Sequence, residues 1–190
     1  MDYSKLFEKI DKCEASSVRS RLKSEDIASV EPFEVKNHTG TLFFIKQKMK
    51  RGVVNLNGEN YTYRVTYDVV NEEGETLAWI NAYTRLISAK EVEIEYAVSQ
   101  EMQGKGIATA MLDVMTEDIY KNQIFEGLTV LKSGDEVRKK LQIENLLLSI
   151  NNDNYASKKV AEKCGYRSDN EGGYNMTRDK YFEHNNFQPQ

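Results

Sequence analysis

The sequence predicts one mixed α/β domain, with antiparallel strands first and a parallel strand–helix–strand unit after them. Three stretches predict it. In Glu91–Val98, Val92, Ile94, Tyr96 and Val98 alternate with Glu91, Glu93, Glu95 and Ala97, the period of two of a half-buried strand. Just beyond, Ala108, Met111, Leu112, Met115 and Ile119 recur at spacings of three and four, which makes one apolar helical stripe. Residues 145–150, NLLLSI, are a continuous apolar run, as in a strand covered on both faces. Two strands joined by a helical crossover run parallel.

The earlier elements follow in order. Residues 3–22 place Leu6, Ile10, Cys13 and Val18 among charges at helical spacing and predict one or two helices. Residues 24–40 contain Pro32 and many polar groups, and read as a connection with a short ordered piece. Residues 42–49, LFFIKQKM, are a strand whose alternating Lys46 and Lys48, with Lys50 beyond, form a solvated face. Asn57-Gly58 signals a hairpin between Val53-Val54 and residues 61–70. Asn71-Glu72-Glu73-Gly74 turns the chain into a further strand over 76–87. Tyr61, Tyr63, Tyr67, Trp79 and Tyr83 lie on these middle strands as packing groups, some of them available to an acceptor pocket.

The later elements are shorter. Ser133 and Glu136 have capping-box spacing, and Val137 and Leu141 supply one face of a short helix within 122–142. Asn151, Asn152 and Asp153 offer N-caps to a helix with the stripe Ala156, Val160 and Cys164, and Gly165 suits its C′ position. Residues 174–177 form a last strand, and the tail YFEHNNFQPQ is frayed.

Composition narrows the class. The chain has 190 residues, 39% hydrophobic and 29% charged, an ordinary soluble composition with room for a real core. No apolar run approaches the ~20 residues that span a bilayer. The start, MDYSKLFEKIDKCE, has no apolar signal core, so a cytoplasmic protein without membrane attachment is expected. Cys13 and Cys164 form no CxxC, which fits structural thiols in a reduced compartment. A net charge of −4 disfavours nucleic-acid partners, whose phosphates need a basic surface. His38 and His184 are isolated, and they assemble neither a metal site nor a Ser-His-Asp triad.

The turn between strand and helix, Gln103-Gly104-Lys105-Gly106-Ile107-Ala108, is built for an anion. Glycine permits close approach and unusual φ, and the first amides of a helix have no intrahelical partner. It is not a nucleotide P-loop, because GxxxxGK[ST] is absent, nor a dinucleotide fingerprint, because Thr109 stands where a third glycine belongs. A plain tight turn is the competing reading.

That motif, preceded by EIEYAVSQEM, resembles the Q/R-x-x-G-x-G/A acetyl-CoA motif of the GNAT superfamily of N-acetyltransferases. Residues 154–166, NYASKKVAEKCGY, resemble that superfamily's N-x-x-S-x-x-V-x-E-K-x-G-F/Y helix. The two stand in the right order, and with 174–179 the likeness covers about residues 76–179. The resemblance implies a single domain over 1–190, with 1–75 on the acceptor side, 76–179 binding acetyl-CoA and 180–190 as the tail. It implies that amides of Gly104, Lys105, Gly106, Ile107, Ala108 and Thr109, with Gln103 opening the motif, bind the pyrophosphate. It implies that the backbone of Tyr96, Ala97 and Val98 pairs with the pantetheine arm like an added strand, and that the Asn154 side chain holds a pantetheine amide. In the branch that acetylates protein N-termini, including those of ribosomal proteins, a serine at the place of Ser157 lies near the coenzyme sulfur.

One departure bears on catalysis. Many members carry a proton-donating tyrosine where this chain has Ala161. Ser157 is the substitute, with Tyr155 second and water third. A thiol pKa near ~8.5 makes the thiolate a fair leaving group. An alkyl ammonium near ~10 must lose a proton before it attacks, and a carboxylate can take it. Glu91, Glu93 and Glu95 share a strand face, and their mutual repulsion favours a raised pKa in one of them. Glu93 occupies the place of the glutamate in the superfamily's E-I-G-Y strand. The competing reading is a ladder that is solvated or paired with a neighbour such as Arg85. The expected activity is acetyl transfer from acetyl-CoA to an amine, on a small molecule or a peptide or protein N-terminus, without a metal and with a homodimer possible. The rival is an acyl-CoA-binding regulatory module without catalysis.

Overall fold

The computed structural model describes residues 28–36, 42–56, 59–84, 90–131, 133–169 and 172–185. The expected helices over 3–22, the turn residues Asn57-Gly58, and Arg85 lie outside these residues. Among the described residues, ten strands join one mixed sheet. β1 (Ala28–Lys36), β2 (Leu42–Leu56), β3 (Glu59–Val70), β4 (Thr76–Thr84) and β5 (Glu91–Val98) form an antiparallel meander. Leu56 pairs with Glu59, so the predicted hairpin closes over two residues. The next turn closes with Gly74 N donating to Asn71 O at 3.1 Å. Gly74 has a φ of 86°, the left-handed region where glycine is unstrained.

Helix α1 (Ile107–Glu117) follows β5, and a π-helical turn extends it over Asp118–Asn122. Of its predicted stripe, Met111, Leu112, Met115 and Ile119 are buried in the core together with Ile107, whereas Ala108 is half-buried. Burying side chains of this size stabilises by about 1.5–3 kcal/mol each. β8 (Asn145–Ser149) then lies parallel to β5, as expected. Helix α2 (Tyr155–Lys163), β9 (Arg167–Ser168) and β10 (Gly173–Thr177) complete the sheet, with β10 antiparallel to β8. Gly165, at φ 82°, ends α2. Its N–H meets Glu162 O at 3.0 Å and the Tyr166 N–H meets Ala161 O at 2.9 Å, the double closure of a Schellman motif.

Strand register sorts the two faces. Val65, Tyr67, Ile80, Ala82, Val92 and Ile94 are buried in the core. Arg64, Thr66, Asn81, Tyr83, Glu93 and Glu95 share the opposite face.

Four expectations are corrected. Among the described residues of 122–142 no helix forms beyond the π-helical turn; β6 (Glu126–Val130) and β7 (Glu136–Lys140) make a hairpin there, and β6 also pairs with β3. Gly134 has a φ of 87° between Ser133 and Glu136, and the Ser133 hydroxyl donates to Asp135 at 2.7 Å, so the apparent capping box is a hairpin turn. Residues 28–36 form a full edge strand, with Pro32 near a register shift between Val30 and Phe33, where proline costs no ladder bond. The start of the tail belongs to helix α3 (Arg178–His184), anchored by buried Tyr181 and Phe182. The cap of α2 is Asn154, one residue past the predicted candidates.

Candidate active site

The site forms where the sheet divides. β5 and β8 pair from Glu91–Asn145 to Glu93–Leu147 and no further. Ser99 N donates to Leu77 O at 2.9 Å, so main-chain groups of odd-numbered β5 residues face β4. Those of Tyr96 and Val98 therefore turn toward the side that β8 has left. Here opens a cleft of about 880 Å³.

Tyr96, Ala97 and Val98 line one side of it. The turn and first turn of α1 line its floor, through Gln103, Gly104, Gly106, Ile107, Ala108 and Thr109. Asn154 and Ser157 line the far side from the start of α2. These predicted positions, scattered over sixty residues of sequence, thus face one cavity. Lys105 and Tyr155 are not among the lining residues. The Lys105 ammonium lies 3.4 Å from Met102 Sδ, and Tyr155 is 70% exposed with Lys158 over its ring.

The floor has the physical make-up of an anion site. Gly104 and Gly106 have φ of 73° and 85°, the left-handed conformation that costs other residues about 1–2 kcal/mol. Gly106 is the N-cap of α1, without a side-chain cap bond and without an acidic residue in the first turn. The first intrahelical donor is Ala110 N, bonded to Gly106 O at 3.0 Å. The amides of Ile107, Ala108 and Thr109 precede it, and the helix dipole adds partial positive charge there. Gln103 is tied back to the strand, with its side-chain amide donating to Val98 O at 3.3 Å.

Asn154 has structural work already. Its Oδ1 accepts from Ser157 N at 3.1 Å and caps α2, which leaves its NH₂ group as the part that a ligand can use. Tyr96 bridges the gap, with its hydroxyl 3.5 Å from Ser157 O. Burial raises the pKa of that phenol. Burial also pushes the Cys164 thiol up, and its Sγ lies 3.7 Å from Thr109 O. This contact joins the end of α2 to the start of α1.

The glutamate ladder divides by partner. Glu95 accepts from Asn81 Nδ2 at 2.9 Å and from the Tyr83 hydroxyl. Asn81 in turn accepts from Thr66 at 2.6 Å, and Thr66 accepts from Arg64 Nε at 3.0 Å. Glu93 accepts from Ser149 Oγ at 3.2 Å, a bond across the place where β5 and β8 part. Glu34 and Val35 of β1, and Met102, Asp113, Lys159 and Lys163, also line the cleft. The lysines were legible as an i, i+4 pair on α2, whereas β1 carries no signal that would bring it here. Among the described residues, no group of three or more His, Cys, Asp and Glu side chains could hold a metal, and no helix is long and apolar enough to cross a membrane.

Fold and site together define an α/β domain whose glycine turn and helix N-terminus face a split pair of parallel strands. The family model described as acetyltransferase (GNAT) domain matches residues 22–167, and the chain belongs to that family. Solved structures similar to it include the following three. A spermidine N-acetyltransferase SpeG chimera from Vibrio cholerae and hSSAT is 14% identical, with a TM-score of 0.47, over 66% of this chain and 70% of that one. The GNAT domain of S. lividans PAT is 20% identical, with a TM-score of 0.44, over 60% of each. A GNAT-family acetyltransferase from Bacillus anthracis is 13% identical, with a TM-score of 0.45, over 60% of this chain and 66% of that one. No curated protein sequence matches the chain.

Proposed function

We propose that this protein transfers an acetyl group from acetyl-CoA directly to an amine. The observation that carries the reading is the parting of β5 from β8 beside the N-terminus of α1. Amides from Gly104 to Thr109 hold the pyrophosphate. The backbone of Tyr96 and Val98 pairs with the pantetheine arm, and the Asn154 NH₂ group reaches one of its amides. A main-chain amide near Val98 polarises the thioester carbonyl, an effect worth 10²–10³ in rate for a well-placed donor.

Glu93 takes the proton of the incoming ammonium, directly or through water. Its bond to Ser149 at the parting of the strands supports this choice over Glu95, which Asn81 and Tyr83 engage. The acceptor is a small-molecule amine or a peptide or protein N-terminus, including the ribosomal type. The test is thiol release from acetyl-CoA with a panel of spermidine, an aminoglycoside, and peptides with a free N-terminus or lysine. Thiol release with at least one amine is expected, and absence of acetyl-CoA binding overturns the reading. A second reading, an acyl-CoA-binding regulatory module, draws on the fully buried methyl of Ala161. Binding without turnover across the panel would favour it.

A further inference from the structure

The departing thiolate needs a proton, and Ala161 has none to give. Among the described residues, three that carry a hydroxyl line the cleft, Tyr96, Thr109 and Ser157. Thr109 lies in the first turn of α1, at the anion-binding end. The other two lie where β5 faces α2. Carbonyl oxygens of a helix point toward its C-terminus, so Ser157 O lies at the level of the Ala161 amide. The Tyr96 hydroxyl is 3.5 Å from that oxygen. A phenol from the strand thus stands beside the turn of α2 where residue 161 offers only a methyl group.

We propose that the Tyr96 phenol is the proton donor to the departing coenzyme A thiolate. The inference rests on the acetyl-transfer reading above. As the amine nitrogen bonds to the acetyl carbon and the tetrahedral centre collapses, the C–S bond breaks and its electron pair goes to sulfur. The phenol proton moves to sulfur and gives a thiol and a phenolate, and solvent reprotonates the phenolate.

Acidity favours the phenol over Ser157. An ordinary phenol ionises near ~10 and a thiol near ~8.5, whereas a simple hydroxyl, like water, is far less acidic. Burial keeps Tyr96 protonated at neutral pH. Its bond to Ser157 is long enough to exchange for a ligand sulfur, and its main-chain groups face the same gap. One residue then serves the donor from both backbone and side chain.

The test compares Tyr96→Phe and Ser157→Ala in the full chain, using acetyl-CoA and the panel amine that releases thiol fastest. Tyr96→Phe keeps the ring and its packing. It should lower kcat about 10²-fold and leave coenzyme A affinity within about two-fold. It should also abolish the fall of kcat at alkaline pH, which burial of Tyr96 moves above the ordinary phenol range, a fall that Ser157→Ala retains. Wild-type kcat in Tyr96→Phe, or loss of the high-pH fall in Ser157→Ala alone, overturns the inference while intact coenzyme A binding preserves the wider reading. Failure of the unaltered protein to bind coenzyme A, read by thermal shift, overturns both.

Discussion

The hydroxyls of Thr116 and Tyr166 lie 2.7 Å apart, and both residues are buried. Thr116 also lies 2.7 Å from Leu112 O. A carbonyl can only accept, so Thr116 donates to Leu112 and Tyr166 donates to Thr116. The pair ties α1 to the segment leaving α2, the two helices that line the cleft.

The two halves of this pair should differ in cost. Thr116→Val strands the buried Tyr166 hydroxyl, which costs about 1–3 kcal/mol. Tyr166→Phe removes one bond while Thr116 keeps its carbonyl, at a cost of about 0.5–1.5 kcal/mol. Urea unfolding should rank Thr116→Val as the less stable variant, and the opposite order would refute the assigned donor directions.

Asn154 joins a structural task to a proposed binding task, and substitution separates them. Asn154→Ala loses the cap and about 0.5–2 kcal/mol. Asn154→Asp keeps a capping oxygen but has no NH₂ group. It should hold the melting temperature near that of the unaltered protein and still weaken coenzyme A binding. Full affinity in Asn154→Asp would remove the side chain from the pantetheine site.

At Gly106 the left-handed backbone and the anion coincide. Gly106→Ala should cost about 1–2 kcal/mol of stability from φ alone. Gly106→Glu adds bulk and negative charge where the pyrophosphate is proposed to lie, and should abolish the coenzyme A-induced thermal shift. An unchanged shift would take the turn out of the site.

For the base, Glu93→Gln should lower kcat by about 10²–10⁴ with coenzyme A affinity retained. Glu95→Gln should lower it less, because its carboxylate is held by Asn81 and Tyr83. Steady-state kinetics with a single amine decides the order, and a larger loss in Glu95→Gln would transfer the role.

Local patterns made much of this molecule legible. Alternation marked β5, a 3–4 stripe marked α1, and Gly165 marked the end of α2. Asn154 and Gly106 met in one cleft because two motifs, each weak alone, came in order. Features that depend on distant partners were not legible. Ser133 and Glu136 mimic a helix cap by spacing, while Gly134 and pairing with β3 make a hairpin. Tyr181 and Phe182 are adjacent, not periodic, so the last four residues of a seven-residue helix read as tail. The placement of Glu34 and Val35 beside α1 depends on the twist of the whole sheet, and the bonds from Asn81 and Tyr83 to Glu95 depend on β4 register.

The short β5–β8 seam also bears on how the protein holds together. β1 to β5 form one leaf and β8 to β10 another, and the ladder between them ends at Glu93–Leu147. A strand-like ligand in the gap would continue that ladder, so its binding bonds would also be sheet bonds. Occupancy at a hundredfold excess over Kd would add about 2.7 kcal/mol to the fold. Slower hydrogen exchange at Tyr96 and Val98 would record it, as a fabric half unstitched is closed by its own cargo.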